Sequence, residues 1–297
     1  MSRRGWVLFA LMAVIWGLPY VLIKIADGGV SPYVIVFART SIGAVVLVGF
    51  ALRRGNLALL RQHWLPLLGL AVTEILGPWL LLSDAERRLP SSLTGLLIAS
   101  VPIIGALLGQ FAARPERLSP LRWFGLLLGF AGVAVLAGPN LSGGNLWSVA
   151  EVLITAVSYA IAPRIAASKL GAVPGPLTSA SCLGFAALVY LPAALLTWPH
   201  TVPATRVLLA LGCLGLVCTA IAFLVFFALI RAEGPAKAMV FTYLNPAVAV
   251  VAGALILNEP ITLITILAFV LILAGSVLAT LHRTRNRTLE PLAQPAA

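Results

Sequence analysis

The sequence predicts an all-α integral membrane protein: ten transmembrane helices arranged as two inverted repeats of five. Three observations predict it. The 297-residue chain is 61% hydrophobic and 10% charged, whereas ordinary soluble domains carry roughly 25% charged residues, so water alone cannot solvate its apolar surface. Apolar runs near the ~20 residues that span a bilayer recur along the whole chain. Shifting the sequence on itself by 143 residues brings landmarks of the two halves into register.

The runs are bounded by charges and by Pro/Gly clusters. The first, 5–26, follows "MSRRG"; it lacks a small-residue cleavage site and reads as a retained helix rather than an export signal. The second, 32–52, opens at Pro32 and stops at Arg53-Arg54; the third, 64–83, opens at Trp64 and stops before "DAERR". The fourth, 91–112, starts after Pro90, and the fifth, 120–138, lies between Pro120 and Gly138-Pro139. The second half gives 146–167, 176–197, 205–231, 236–257 and 262–281. Helices are required because strand alternation is absent and the runs are about twice the length of a membrane strand.

Basic residues set the orientation. With the N-terminus inside, fifteen of the twenty Lys and Arg fall at cytoplasmic ends, four (Lys24, Arg87, Arg88, Arg206) fall outside, and Arg39 lies within a span. Both termini are therefore expected in the cytoplasm of a cell with this inner membrane. Trp6, Trp64, Trp123, Trp147 and Trp198 sit near span ends, as interfacial anchors do. The net charge of +11 is distributed between spans, with no basic face interleaved with aromatics, so nucleic acid is not an expected partner. Cys182, Cys213 and Cys218 lie inside apolar runs, and His63, His200 and His282 lie between or beyond spans. Neither set has metal-ligand spacing, and no metal or cofactor is expected.

At the 143-residue shift, Trp16-Gly17 meets Tyr159-Ala160, Gly69 meets Gly212, Glu116 meets Glu259 and Ala131-Gly132 meets Ala274-Gly275; Pro102 meets Pro246 at 144. The units are residues 1–140 and 141–282, with a cytoplasmic tail at 283–297. Five spans per unit is an odd number, so the second unit enters the membrane in the opposite sense. Inverted repeats of this kind belong to secondary transporters, with the substrate site near the midplane between the halves. Pro102 and Pro246 are expected to kink the fourth and ninth spans. Gly105 and Gly109, matching Ala249 and Gly253, are expected to let those two spans pack closely at the centre. Ser119 and Thr262 stand where the next helix begins and are expected to cap it. Glu116 and Glu259 are expected to tie the tight connections to neighbouring backbone or arginine groups.

The stretches "WGLPYVLIK", "FART", "YLNPAVAVVAGALILNEPIT" and "ILAGSVL", with the weaker first-half partners "VPIIGALLG", "PERLS" and "GFAGVAVL", resemble the drug/metabolite transporter superfamily, in particular its ten-helix members with two EamA-type domains. The resemblance covers about residues 5–281. It implies alternating access through a central cavity, and it leaves the cargo open among amino acids, other metabolites, nucleotide sugars and drugs. The charged stretch "SDAERRLPSS" departs from the family pattern, which more often has an apolar or small-residue connection there.

Ionisable residues inside a bilayer are costly and point to function. Arg39 lies about 10 Å below the outer edge of the second span and Glu74 about 15 Å deep in the third. The two can pair structurally. Alternatively, Arg39 receives a substrate carboxylate or phosphate on its planar fork of donors, and Glu74 binds an amino group or carries a coupling proton. Glu151 and Lys24 lie nearer the outer surface, where each can line an external vestibule or snorkel to the headgroups; snorkelling is the expectation for Lys24 and for Arg164 at the inner end of the sixth span. Trp16, Tyr20, Trp79, Tyr159, Tyr243 and Asn245 are candidates to line the cavity, with helix packing as their alternative role.

The expected function is export of a small polar or zwitterionic metabolite, such as an amino acid, by a monomer in the lipid bilayer. The alternative is export of drugs or hydrophobic cations. An intramembrane enzyme is the reading from another class, but no two of the nine acidic residues form a catalytic pair within a span.

Overall fold

The computed structural model describes residues 1–54, 57–111, 118–142 and 145–280. These residues form helices and connections, with no strand among them. The bundle-forming helices are α1 (Arg3–Asp27), α2 (Pro32–Leu52), α3 (Trp64–Glu86), α4 (Ser91–Gln110), α5 (Pro120–Gly138), α6 (Leu146–Lys169), α7 (Gly175–Leu196), α8 (Thr205–Glu233), α9 (Asn245–Leu257) and α10 (Leu263–Thr280). All but α9 are long and apolar enough to cross a membrane. The chain is thus an all-helical membrane protein, with ten helices in two inverted repeats of five.

Helix pairing follows the repeat. α2 packs on α7, α4 on α9 and α5 on α10, each a helix against its own counterpart; α3 on α6 is answered by α8 on α1. Exchanging the halves leaves this pattern unchanged, so each half completes the other rather than forming a separate bundle. The α5–α10 crossing is the tightest. A Cβ added at Gly275 would lie 2.4 Å from Gly129 N and 2.7 Å from Gly125 O, so backbone meets backbone there without side chains between.

Four helices are interrupted near mid-membrane. α1 breaks at Leu18-Pro19, and α4 breaks at Ala99-Ser100, just before Pro102. The carbonyl of Ala99 at that break accepts a hydrogen bond from Ser276 Oγ of α10 (3.0 Å). α3 and α8 each carry a π-helical turn, Val72–Leu76 and Leu216–Ile221, at matching places in the two repeats. Displaced carbonyls near these turns are satisfied by Tyr190, which donates to Leu76 O (2.6 Å), and Thr219, which donates to Leu214 O (2.8 Å).

Several sequence expectations change. The ninth run reads as one helix from 236, but Pro235–Ala238 is a separate turn and Met239–Tyr243 is 3₁₀, so α9 proper starts one residue before Pro246. α4 and α9 do pack centrally, but through Gly95, whose added Cβ would meet Ala249 Cβ at 2.6 Å, and through Gly253 near Ser91 Oγ. Gly105 and Gly109 instead face Ala160 and Arg164 of α6, because the break before Pro102 separates the two halves of α4. Arg164, expected to snorkel, is exposed and donates one terminal nitrogen to Gly105 O at 2.6 Å. Lys24 does not reach for headgroups: its ammonium donates to the carbonyls of Glu86 and of Leu89 (2.9 Å), capping the C-terminus of α3. Ser119 and Thr262 cap the following helices through the N–H groups of Arg122 (3.4 Å) and Thr265 (3.1 Å). Glu116, Arg114, Arg117 and the tail at 283–297 lie outside the described residues.

Glu259 ties together residues far apart in sequence. Asn258, at φ 56°, ends α9 in the left-handed conformation, and this aims the next side chain at the start of α4. Glu259 Oε1 and Oε2 accept the backbone N–H groups of Ser91 (2.7 Å) and Ser92 (2.9 Å), a carboxylate at the positive end of a helix. Partial burial alone would raise the Glu259 carboxyl; the hydrogen bonds from Ser92 and Ser91 outweigh it and hold the group below its ordinary value. Its contribution to stability is therefore complete above the ordinary carboxylate range and is lost as pH falls through the depressed folded value. Glu259→Ala should remove about 1 kcal/mol, the usual loss for an N-terminal cap. Thermal melting of the purified protein should show that difference at neutral pH and a smaller one in strong acid.

Candidate functional site

A cavity of about 640 Å³ lies between the halves, within the usual range for small-molecule sites. Its wall runs from Tyr20, Arg39 and Trp79 at mid-bundle to Met239, Val240 and Thr280. The latter residues lie near the end that carries the N-terminus, where Glu233 accepts hydrogen bonds from Ser2 N and Ser2 Oγ, both at 2.8 Å. The opposite end is closed by the Lys24 and Glu259 contacts described above.

The helix irregularities build this cavity. The π-turn of α3 presents Glu74 to it, and that of α8 presents Cys218. The breaks in α1 and α4 place Pro19 and Pro102 on the wall, and Pro246 joins them from the first turn of α9. Trp16 stands near the break of α1, edge-on to Phe223 and tilted against Phe226 and Phe241, with ring centroids 5.2–5.9 Å apart.

Arg39 is held from two sides. Its Nε donates to Thr219 Oγ1 at 2.9 Å, and its guanidinium carbon lies 3.7 Å from the centroid of the Trp79 ring, a cation–π contact. It is 7% exposed. With Nε engaged, the two terminal nitrogens are the end of the fork that remains for a ligand.

Arg39 and Glu74 both line the cavity, but among the described residues no ion pair joins them; the two pairs present are Arg88–Asp84 and Arg88–Glu151. Depth along a helix placed the two groups at similar heights, but it could not say that a cavity lies between their side chains. The structure therefore holds a cation and an acid on one cavity without using either to neutralise the other.

The remaining candidates also reach the wall: Trp16, Tyr20, Trp79, Tyr159, Tyr243 and Asn245 all line the cavity. Besides the ring contacts of Trp16 and Trp79 given above, Tyr243 and Asn245 are partly committed. The Tyr243 hydroxyl is 2.8 Å from Thr280 Oγ1. The Asn245 amide, oriented with its nitrogen toward acceptors, donates to Ala13 O (3.2 Å) and Phe241 O (3.3 Å), stitching α9 to the break in α1. Glu151 is not in the cavity; it is buried and pairs with Arg88 at 3.2 Å. Phe223, Cys218 and Thr219 were not singled out by sequence. The signal for Phe223 and Cys218 was their register with Trp79 and Glu74, which the 144-residue offset supplies and the 143-residue offset misses; Thr219 falls opposite Ile75 and had no such signal.

An inverted-repeat bundle with broken helices around a central cavity is the architecture of secondary transporters. The comparisons place the chain among transporters. The model of the EamA-like transporter family matches residues 3–138 and again 146–281, and the chain belongs to that family. It is 30% identical over 284 residues to the inner membrane transporter YedA of Escherichia coli (strain K12), covering 93% of this chain and 90% of that one. It is 29% identical to the aromatic amino acid exporter YddG of Ancylobacter novellus over 75% of this chain and 78% of that one. A solved crystal structure matches its fold with a TM-score of 0.67 at 23% identity, over 94% of this chain and 98% of that chain.

Proposed function

We propose that this protein exports zwitterionic metabolites, amino acids with apolar or aromatic side chains first among them, by alternating access across the inner membrane. The observation that carries this reading is the unpaired placement of Arg39 and Glu74 on one cavity with aromatic walls. Arg39 receives the carboxylate on its terminal nitrogens, Glu74 receives the ammonium, and Trp16, Tyr20, Trp79 and Tyr159 pack the side chain. The relative that exports aromatic amino acids supports the same substrate class. The state described here is closed at the Lys24–Glu259 end and extends its cavity toward the end bearing the N-terminus. The distribution of basic residues supports a cytoplasmic position for that end, and in this reading the state is the loading state of an exporter. Both halves of the pathway lie in one chain, so the functional unit is a monomer.

The test compares the amino acids released into the medium by cells producing the protein with those released by cells lacking it. Enrichment of apolar or aromatic amino acids is expected; unchanged media across the amino-acid pool would overturn the reading.

One observation favours a second reading. Glu74 is not neutralised by Arg39, and an acid on an aromatic cavity also suits a hydrophobic cation. If that reading holds, energised cells producing the protein extrude ethidium faster than controls, and Glu74→Gln abolishes the difference. Under the amino-acid reading, ethidium accumulation is the same in both.

A further inference from the structure

Glu86 is the last residue of α3 and is fully buried; neither of its carboxylate oxygens has a hydrogen-bond partner. The same is true of both carboxylate oxygens of Asp27 at the end of α1. The nearby ammonium of Lys24 donates to the backbone carbonyls of Glu86 and Leu89 rather than to either acid. An isolated buried carboxylate costs so much solvation that the group takes up a proton instead.

The repeat shows that the scaffold does not need these acids. At the 143-residue offset, Asp27 corresponds to Leu170 and Glu86 to Leu229; at 144, Asp27 corresponds to the exposed Gly171 and Glu86 to Ile230. Leu170 and Leu229 are core residues, and Ile230 packs against the core. The unpartnered carboxyl group of Glu86 thus stands where the other half has an aliphatic side chain at either offset, a replacement that costs stability.

Glu86 also lies at a boundary. It is within electrostatic reach of Tyr20 and Arg39 on the cavity side, and of Asp27, Lys24 and Glu259 on the other; Arg87 and Asp84 act in turn on Asp27. Lys24 and Glu259 line a second, smaller pocket of about 360 Å³ at the closed end. Neither carboxyl group of Glu86 and Asp27 has a hydrogen-bond donor to hold its negative charge, so the species considered for them is the proton.

We propose that Glu86 is the proton-coupling residue: protonated in this conformation, it gives its proton to the cavity on its Tyr20–Arg39 side as the Lys24–Glu259 end opens, and takes up another from that end, with Asp27 on the route, before the end recloses. The O–H bond of the Glu86 carboxylic acid breaks to a water of the cavity; opening admits water from the other end, and the resulting carboxylate is stabilised by that hydration and by the Lys24 ammonium. Reclosure requires reprotonation from the Lys24–Glu259 end, so each cycle takes one proton up there, releases one to the cavity and carries it inward against the exported molecule. This inference rests on the transport reading, and its first test does not depend on the substrate.

Infrared spectra of the purified, reconstituted protein at neutral pH should contain the C=O stretch of a protonated carboxylic acid, and Glu86→Gln should remove a component of it that Glu74→Gln leaves in place. A spectrum unchanged by Glu86→Gln would overturn the proposal. Glutamine has the shape and neutrality of the protonated acid, so this variant should fold, as its monodispersity will show. In proteoliposomes, Glu86→Gln should keep phenylalanine counterflow while losing accumulation driven by a pH gradient; gradient-driven accumulation equal to wild type would also overturn it. If the wild type moves no phenylalanine, the amino-acid reading fails and the infrared comparison still decides the protonation of Glu86.

Discussion

Replacing Arg39 with alanine is expected to weaken binding and transport of a carboxylate-bearing substrate by about 10- to 100-fold at equal membrane abundance. The magnitude follows from losing hydrogen bonds to a charged group, worth about 1.5–3 kcal/mol. Because Thr219 and the Trp79 ring already hold the guanidinium, a substrate does not have to order it, and little of that energy is lost to entropy. Arg39→Lys keeps the charge but loses the fork and the contact from Nε, so it should restore only part of the loss. Counterflow of radiolabelled phenylalanine in proteoliposomes measures both variants. A protein that transports normally but melts earlier without Arg39 would show that the residue serves packing instead.

The largest effect on stability is expected at Gly275. A methyl group there would lie 2.4 Å from the backbone nitrogen and 2.5 Å from the Cα of Gly129, and backbone in a packed helix cannot turn aside as a flexible side chain can. Overpacking of this kind costs about 1–3 kcal/mol where side chains can adjust. Gly275→Val should exceed that, separate α5 from α10 and leave little monodisperse protein after size-exclusion chromatography. Gly49 is the control, since nothing lies within 4 Å of an added Cβ there. Gly49→Ala should leave the melting temperature unchanged or raise it, by up to the roughly 1 kcal/mol that separates the two residues in a helix.

Much of the fold was legible in the sequence because its boundaries are chemical. The starts of α2 and α5 were read directly from Pro32 and Pro120, and the end of α2 from Arg53-Arg54; the helix of α5 instead runs through Gly138-Pro139 to Ser142. The start of α9 was not legible, because an apolar run looks the same whether it is α-helical or begins as a 3₁₀ turn. The π-turns in α3 and α8 were equally hidden: the groups that satisfy them include Tyr190, more than a hundred residues from Leu76. Glu86 was read as part of a charged connection and is instead the buried end of α3, since Lys24 from another helix caps its carbonyl. At the site, burial cost and repeat register led to Arg39, Glu74 and the aromatic residues. Hydropathy gives no rotation about a helix axis, and so it could not distinguish a paired Arg39 and Glu74 from two groups facing one cavity.

The most direct measurement is binding of phenylalanine to the purified protein, competed separately by phenethylamine, which lacks the carboxylate, and by hydrocinnamate, which lacks the ammonium. If Arg39 and Glu74 hold opposite ends of one zwitterion, phenylalanine binds and each truncated compound competes at least about tenfold more weakly, the cost of one lost charge-assisted contact. Equal competition by phenethylamine would contradict a carboxylate site at Arg39 and leave an aromatic cation held by Glu74 as the ligand of this cavity.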